Sequence, residues 1–195
     1  MSKIAIKGAT TGTGVFTLES PATNTDRTLI LPDEAGTVLT SASDVAQKGV
    51  PAFSAYNSST SRQTVSTTTY TKVVLPTKEF DTHGFFDNTT DYRFQPTIAG
   101  YYLVNATVYS QATGGLTRTI GAFAKNGNIY WRFNDTTYAS TTFERAPSGS
   151  KVIYMNGSTD YIELFVYLAG SGTIYASSTS TTSSSRLEAI LVRAD

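Results

Sequence analysis

The chain has 195 residues, 39% of them hydrophobic, and its 15 Lys plus Arg balance 15 Asp plus Glu for a formal net charge of zero. That length accommodates one well-cored domain and a small appendage, and a neutral balance leaves no electrostatic footprint for nucleic acid or anionic lipid. With no cysteine, disulfide scaffolds and thiolate zinc sites are excluded, and a reducing folding compartment is expected.

The opening Met1-Ser-Lys-Ile-Ala-Ile-Lys-Gly8 carries lysines without the apolar run of a signal peptide, and no later stretch is apolar enough to span a bilayer. Synthesis and folding in a cytoplasm, without membrane insertion, are therefore expected. Residues 1–50 contain one aromatic, Phe16, among many Gly, Thr and Pro, too little to bury a core alone. Residues 15–18 and 28–31 are short strand candidates ended near Pro21 and Pro32, and residues 46–50 read as a linker. This divides the chain into an extended, β-rich segment over 1–45, the linker, and a main domain over 51–195. The run from Gly8 to Gly14 lacks the Lys-Ser/Thr ending and following helix of a phosphate-binding loop, so it reads as a flexible approach to a strand.

The main domain has the composition of an all-β protein: aromatic and β-branched runs separated by Ser, Thr and Gly. Residues 73–75, 101–109, 119–124, 161–168 and 187–192 are predicted strands, a spacing that argues for a sandwich or barrel. Asn126-Gly127 and Asn156-Gly157 supply left-handed turn positions and are expected to close hairpins. Residues 177–185 are nine consecutive Ser or Thr, read as an exposed polar loop. The Asn-x-Ser/Thr sequons at Asn57, Asn88, Asn105, Asn134 and Asn156 are read as composition, not glycan sites.

Three strands have two apolar faces. In 161–168, Ile162, Leu164, Val166 and Leu168 oppose Tyr161, Glu163, Phe165 and Tyr167. In 101–109, Tyr102, Val104, Ala106 and Val108 oppose Tyr101, Leu103, Asn105, Thr107 and Tyr109. In the last strand, Leu187, Ala189 and Leu191 oppose Glu188, Ile190 and Val192. An antiparallel sandwich strand normally has one wet face, so a neighbouring subunit is expected over the second, with Tyr101, Leu103, Tyr161, Phe165, Tyr167 and Ile190 as interface candidates. A large internal core is the alternative.

Pro51-Ala-Phe-Ser-Ala55, Phe86-Asp-Asn through Phe94-Gln-Pro-Thr-Ile-Ala-Gly100-Tyr-Tyr-Leu-Val-Asn-Ala106, Ala124-Lys-Asn-Gly127, Asn156-Gly-Ser-Thr-Asp160-Tyr-Ile-Glu-Leu and residues 187–192 occur in this order. Together they resemble the globular head of the C1q and tumour-necrosis-factor family. The resemblance implies a ten-stranded jelly-roll sandwich that assembles as a homotrimer, with first and last strands on the inner sheet. Val104 and Ala106 stand where that family often has aromatics, and Ser158 and Thr159 interrupt its Gly-Asp pair. Upstream, Gly14-Val-Phe-Thr-Leu-Glu-Ser-Pro-Ala22, Thr28-Leu-Ile-Leu-Pro32 and Ala35-Gly-Thr-Val-Leu-Thr40 resemble a module of bacteriophage tail-fibre proteins, which implies docking of residues 1–45 onto another virion protein.

Chemistry is sparse. His83 is the only histidine, so a Ser-His-Asp triad would have to pass through it, and a site with two His ligands is impossible; Asp81-Thr-His-Gly84 reads as an exposed turn. Asp81, Asp87 and Asp91 cluster in sequence, but such residues are commonly turn caps, and no calcium-loop spacing accompanies them. No catalytic residue, metal site or cofactor is assigned. Tyr130, Trp131 and Tyr138 flank the first expected hairpin and are receptor-binding candidates, since aromatic faces stack on sugars; packing is their competing use. The expected function is a non-enzymatic virion protein, a short trimeric fibre binding a host cell-surface glycan or protein. Capsid decoration or a head fibre, and a soluble C1q-like lectin, are the alternatives.

Overall fold

Runs rich in β-branched and aromatic residues favour the pleated, half-buried surface of a sheet, and among the described residues the regular elements are all strands. The computed structural model describes residues 49–57, 62–177 and 184–195, with scattered positions between 11 and 28. The chain divides into two units, Met1–Val38 and Leu39–Asp195. All but Thr17 and Thr28 of the strand candidates at 15–18 and 28–31, and most of the 46–50 linker, lie outside the described residues.

Twelve strands follow in order: β1 (Ala52–Tyr56), β2 (Tyr70–Lys72), β3 (Thr77–Asp81), β4 (Phe86–Asp87), β5 (Arg93–Phe94), β6 (Ala99–Thr107), β7 (Ser110–Lys125), β8 (Asn128–Arg145), β9 (Ser148–Asn156), β10 (Ile162–Gly170), β11 (Ile174–Tyr175) and β12 (Arg186–Ala194). One sheet runs β3-β1-β12-β6-β9; the other runs β11-β7-β10-β5-β4, with β2 paired to β10 and β8 to β7. Pairing is antiparallel throughout. First and last strands are neighbours in the five-stranded sheet, in the register Ala52 to Ile190 and Tyr56 to Arg186. Twelve strands replace the ten expected because the second sheet gains short pieces at its edges.

The inward alternation is as read. Tyr102, Val104, Ala106 and Val108 of β6 and its exit are buried, as are Ile162, Leu164, Val166 and Leu168 of β10. Between the sheets Phe53 stacks on Phe86 and Phe94 at centroid separations of 4.8 and 4.6 Å, and Tyr102 meets Phe94 edge-on at 5.3 Å. The Tyr102 hydroxyl donates to the Ile98 carbonyl at 2.9 Å, which satisfies its polar end inside the core. Burial pushes that hydroxyl up to about 12. Gly100 is required beside it: it adopts φ 153°, and a Cβ there would collide with the Arg193 carbonyl of β12.

Three expectations are corrected. The strand read at 73–75 sits at 70–72; Val73 and Leu75 are fully buried beneath it, an apolar run that follows the strand instead of forming it. Asn126-Gly127 closes the β7–β8 hairpin with φ of 54° and 78°, but Asn156-Gly157 does not close one. There the chain leaves β9 in the first sheet for β10 in the second, so the same left-handed glycine turns a corner. Finally, the Ser/Thr run is not exposed at its ends. Ser177, Ser184 and Ser185 are buried, because short hydroxyls find local partners: Ser177 Oγ accepts from the Gln63 amide, and Ser185 Oγ donates to the Ala176 carbonyl and accepts from the Tyr109 amide. Residues 178–183 lie outside the described residues.

Candidate functional site

The outward face of the five-stranded sheet is split lengthwise. Across β1, β12, β6 and β9 one row of partners reads Ala52, Ile190, Leu103, Val152. The row beside it pairs Tyr101 with Tyr154, rings 5.3 Å apart. Ile190, Tyr101 and Val152 are 41, 44 and 50% exposed, so bulky apolar side chains from three adjacent strands stand together in solvent. Two residues further along, the face turns polar. Ser54 Oγ lies 3.1 Å from both Glu79 Oε2 and Glu188 Oε1, and Glu188 pairs with Asn105.

The six interface candidates therefore do not form one surface. Tyr101, Leu103 and Ile190 share this face, whereas Tyr161, Phe165 and Tyr167 belong to the other sheet or its approach. There the chain covers its own aromatics: Tyr70 packs on Tyr167 at 5.4 Å, and Arg118 and Arg93 lie over the Tyr167 and Tyr161 rings. Glu163 is buried in an ion pair with Lys72 Nζ at 2.6 Å. Periodicity showed a second apolar face on each strand, but not that β2 pairs with β10 and sets Tyr70 against Tyr167.

The receptor candidates are also separated. Tyr130 is 51% exposed beside the β7–β8 turn. Trp131 is half-buried, stacked against Phe123 at 5.8 Å and Phe133 at 5.7 Å with Lys151 Nζ over its ring, so it plugs the gap between β8 and β9. Tyr138, further along β8, shares a hydrogen bond with Thr119 Oγ1 at 2.8 Å and carries Arg145 over its ring.

Carboxylates in the Asp81 to Asp91 cluster serve their own backbone. Asp81 accepts from the Phe85 and Phe86 amides, and Asp87 from those of Thr90, Thr89 and Asp91. The Thr90 amide foremost, then Thr89, holds the Asp87 carboxyl down at about 2. His83 is half-buried, its ring 5.4 Å from Phe85 and its Nδ1 2.8 Å from Thr82 Oγ1. Among the described residues no three acidic or imidazole groups converge as metal ligands. Three of the sequon asparagines are hydrogen-bonded within the head: Asn57 and Asn88 donate side-chain amides to the Val74 and Pro76 carbonyls, and Asn156 Oδ1 caps the amides of the following turn.

A larger concavity, unforeseen from the sequence, lies where the far ends of the two sheets meet. It is a cleft of about 430 Å³ lined by Thr107, Tyr109, Glu144, Arg145, Ala146, Ser184 and Arg186. Glu144 accepts from Gln111 Nε2 at 2.9 Å. Burial, and then the hydrogen bond to Glu144, push the Tyr109 hydroxyl above its usual range.

With this arrangement of strands, the chain is similar in fold to a set of solved structures. The globular domain of zebrafish complement 1qA protein matches at 17% identity with a TM-score of 0.51, over 75% of this chain and 99% of that one. The fold is a C1q/TNF-like jelly roll. Murine APRIL matches at 12% identity and a TM-score of 0.50 over 73% of this chain and 99% of that one, and Eiger TNF from S. frugiperda at 11% and 0.51 over 74% and 93%. No protein-family model matches the chain, and no curated protein does. What these likenesses establish for the C1q/TNF-like head is its architecture.

Proposed function

We propose that this chain is a non-enzymatic structural protein of a bacteriophage virion: a short homotrimeric fibre whose jelly-roll head binds a host surface molecule. The carrying observation is the exposed apolar half-face on β12, β6 and β9. A sandwich of this size that already buries Phe53, Phe94, Tyr102 and Leu164 gains nothing from leaving Tyr101, Val152, Tyr154 and Ile190 wet, and contiguous exposed apolar side chains of this kind mark association sites. Three-fold stoichiometry follows from the family resemblance, and the virion setting from the tail-fibre-like motifs in residues 14–40. On this reading residues 1–45 dock on another virion protein, assembly takes place in the host cytoplasm, and three weak sites on one head act together.

Light scattering on the full chain tests the assembly. The expected mass is three chains, falling to one for Ile190→Glu, which places a charge in the middle of the apolar row; a wild-type mass of one chain would sink the reading. Antibodies to residues 51–195 with gold detection on virions test the setting. Label at the tail is the expected result. Label over the capsid would replace adhesion with decoration, and unlabelled particles would remove the virion assignment.

A further inference from the structure

Strand register gives the head two distinct poles. Tyr56, Arg186, Thr107 and Ser148 form one continuous row across β1, β12, β6 and β9, and Ser110 pairs with Arg145 in the other sheet. At the opposite pole stand the Asn126-Gly127 turn, the corner at Asn156 to Asp160, and Ala194 paired with Gly100. The chain enters on that second side, since the Leu191 amide bonds the Pro51 carbonyl and β1 runs from there toward Tyr56. The first pole is thus the one remote from Pro51, where the chain leads into β1, and it holds the 430 Å³ cleft, a volume within the range of small-ligand sites.

We propose that this cleft binds an acidic oligosaccharide, with Arg145 and Arg186 taking a uronate carboxylate and the neighbouring hydroxyls the sugar ring; this rests on the reading of the head as a host-binding module. Arg145 has no carboxylate in ion-pair contact among the described residues. One guanidinium N–H goes to the Glu144 carbonyl at 2.9 Å, and the Tyr138 ring 4.9 Å away steadies its plane, leaving further donors for a bidentate partner. Arg186 has only a long contact, 3.7 Å, to Glu188. Glu144, the carboxylate in the lining, is engaged by Gln111, and Arg62 donates to that same glutamine.

The reach of the site favours a chain of sugars over a lone anion. A second cleft of about 260 Å³ shares Thr107 and Arg186 and continues over Asn105, Ser148 and Ser150, with Glu188 also in its lining. A third of about 220 Å³ shares Arg145 and Ala146 and continues over Thr119, Thr136 and Tyr138. Each arginine therefore stands at the junction of the central cleft with a polar extension. Of the three aromatic receptor candidates, only Tyr138 borders this track; Tyr130 and Trp131 lie toward the entry pole.

The full chain is titrated calorimetrically with an oligogalacturonate and, separately, with maltohexaose, at low and physiological salt. Oligogalacturonate is expected to bind and to weaken with salt, and Arg145→Gln and Arg186→Gln each to lower affinity about tenfold or more with unchanged thermal midpoints. Tyr130→Ala, at the other pole, should leave binding as it was. Undiminished binding in the double arginine variant would overturn this site while keeping a binding head. Equal affinity for maltohexaose would overturn the acidic class. Failure of oligogalacturonate to bind would overturn the proposal outright; gold label at the tail would then still support the fibre reading, and its absence would remove that too.

Discussion

Asp160 shows how much one side chain is asked to hold. It is 8% exposed, and it receives Asn126 Nδ2 at 2.8 Å, Lys125 Nζ at 2.8 Å and the Asn156 amide at 3.1 Å. Burial alone would raise its carboxyl, but the hydrogen bonds from Asn126, Lys125 and Asn156 outweigh that and hold it below the ordinary value. A carboxyl depressed in the folded state stabilises fully above its unfolded pKa and loses that contribution as pH falls through the folded one. Asp87 adds a window running from 3.8 down to about 2. Stability is therefore expected to be flat above about pH 5 and to decline in acid, and Asp160→Asn to cost about 1–3 kcal/mol at neutral pH while flattening the acid limb, both read from urea midpoints against pH. The position of Asp160 after Asn156-Gly157 was legible as a motif, but its partner Asn126 was not, because the two turns meet only once both sheets are in place. Arg145 and Arg186 escaped notice for the same reason: far apart in sequence, they become neighbours through the register of β12 on β6 and of β9 on β6.

The β7–β8 hairpin leaves no room for an added side chain at Gly121. Phe133 sits where a Cβ on Gly121 of β7 would strike its ring and a Cβ on Gly149 of β9 would strike its first carbons, so one aromatic plugs the sandwich edge between two bare backbones. Gly121→Ala is expected to destabilise by roughly 1–3 kcal/mol, the usual cost of overpacking, lowering the urea midpoint without changing the slope. Phe133→Leu in the same background should recover part of the loss. Alternation identified the inward faces of β6, β10 and β12 correctly, since period-two burial is written directly in side-chain type. It placed 73–75 in a strand because an apolar run in a buried crossing has the same composition as one in a strand. It also missed most of β7 and β8, whose Gly, Thr and Arg positions face bulges and solvent.

At the scale of the molecule, the fold depends on a pairing between its extremes. β12 lies between β1 and β6, so removing residues 186–195 takes a strand from the middle of the five-stranded sheet, not from its rim. The truncated chain is expected to show no cooperative thermal transition and to be cleaved rapidly by protease, whereas Val192→Ser, on an exposed side chain, should leave the head folded. Fold class was legible because the motifs carrying the resemblance fall on β1, β4–β6, the β7–β8 turn, the start of β10 and β12. Which apolar face stays open was not, because that depends on β2 joining the sheet beside β10 and setting Tyr70 against Tyr167, and a three-residue strand leaves little trace in periodicity.

The central place of β12 also bears on how the protein is made. While a ribosome is still synthesising residues 186–194, the growing chain has β1 and β6 but no strand to join them, and the apolar half-face to which Ile190 contributes does not yet exist. Nascent heads that have not yet made β12 would thus have no finished surface with which to recognise each other. Copies that stop short of β12 would lack that half-face by the same geometry.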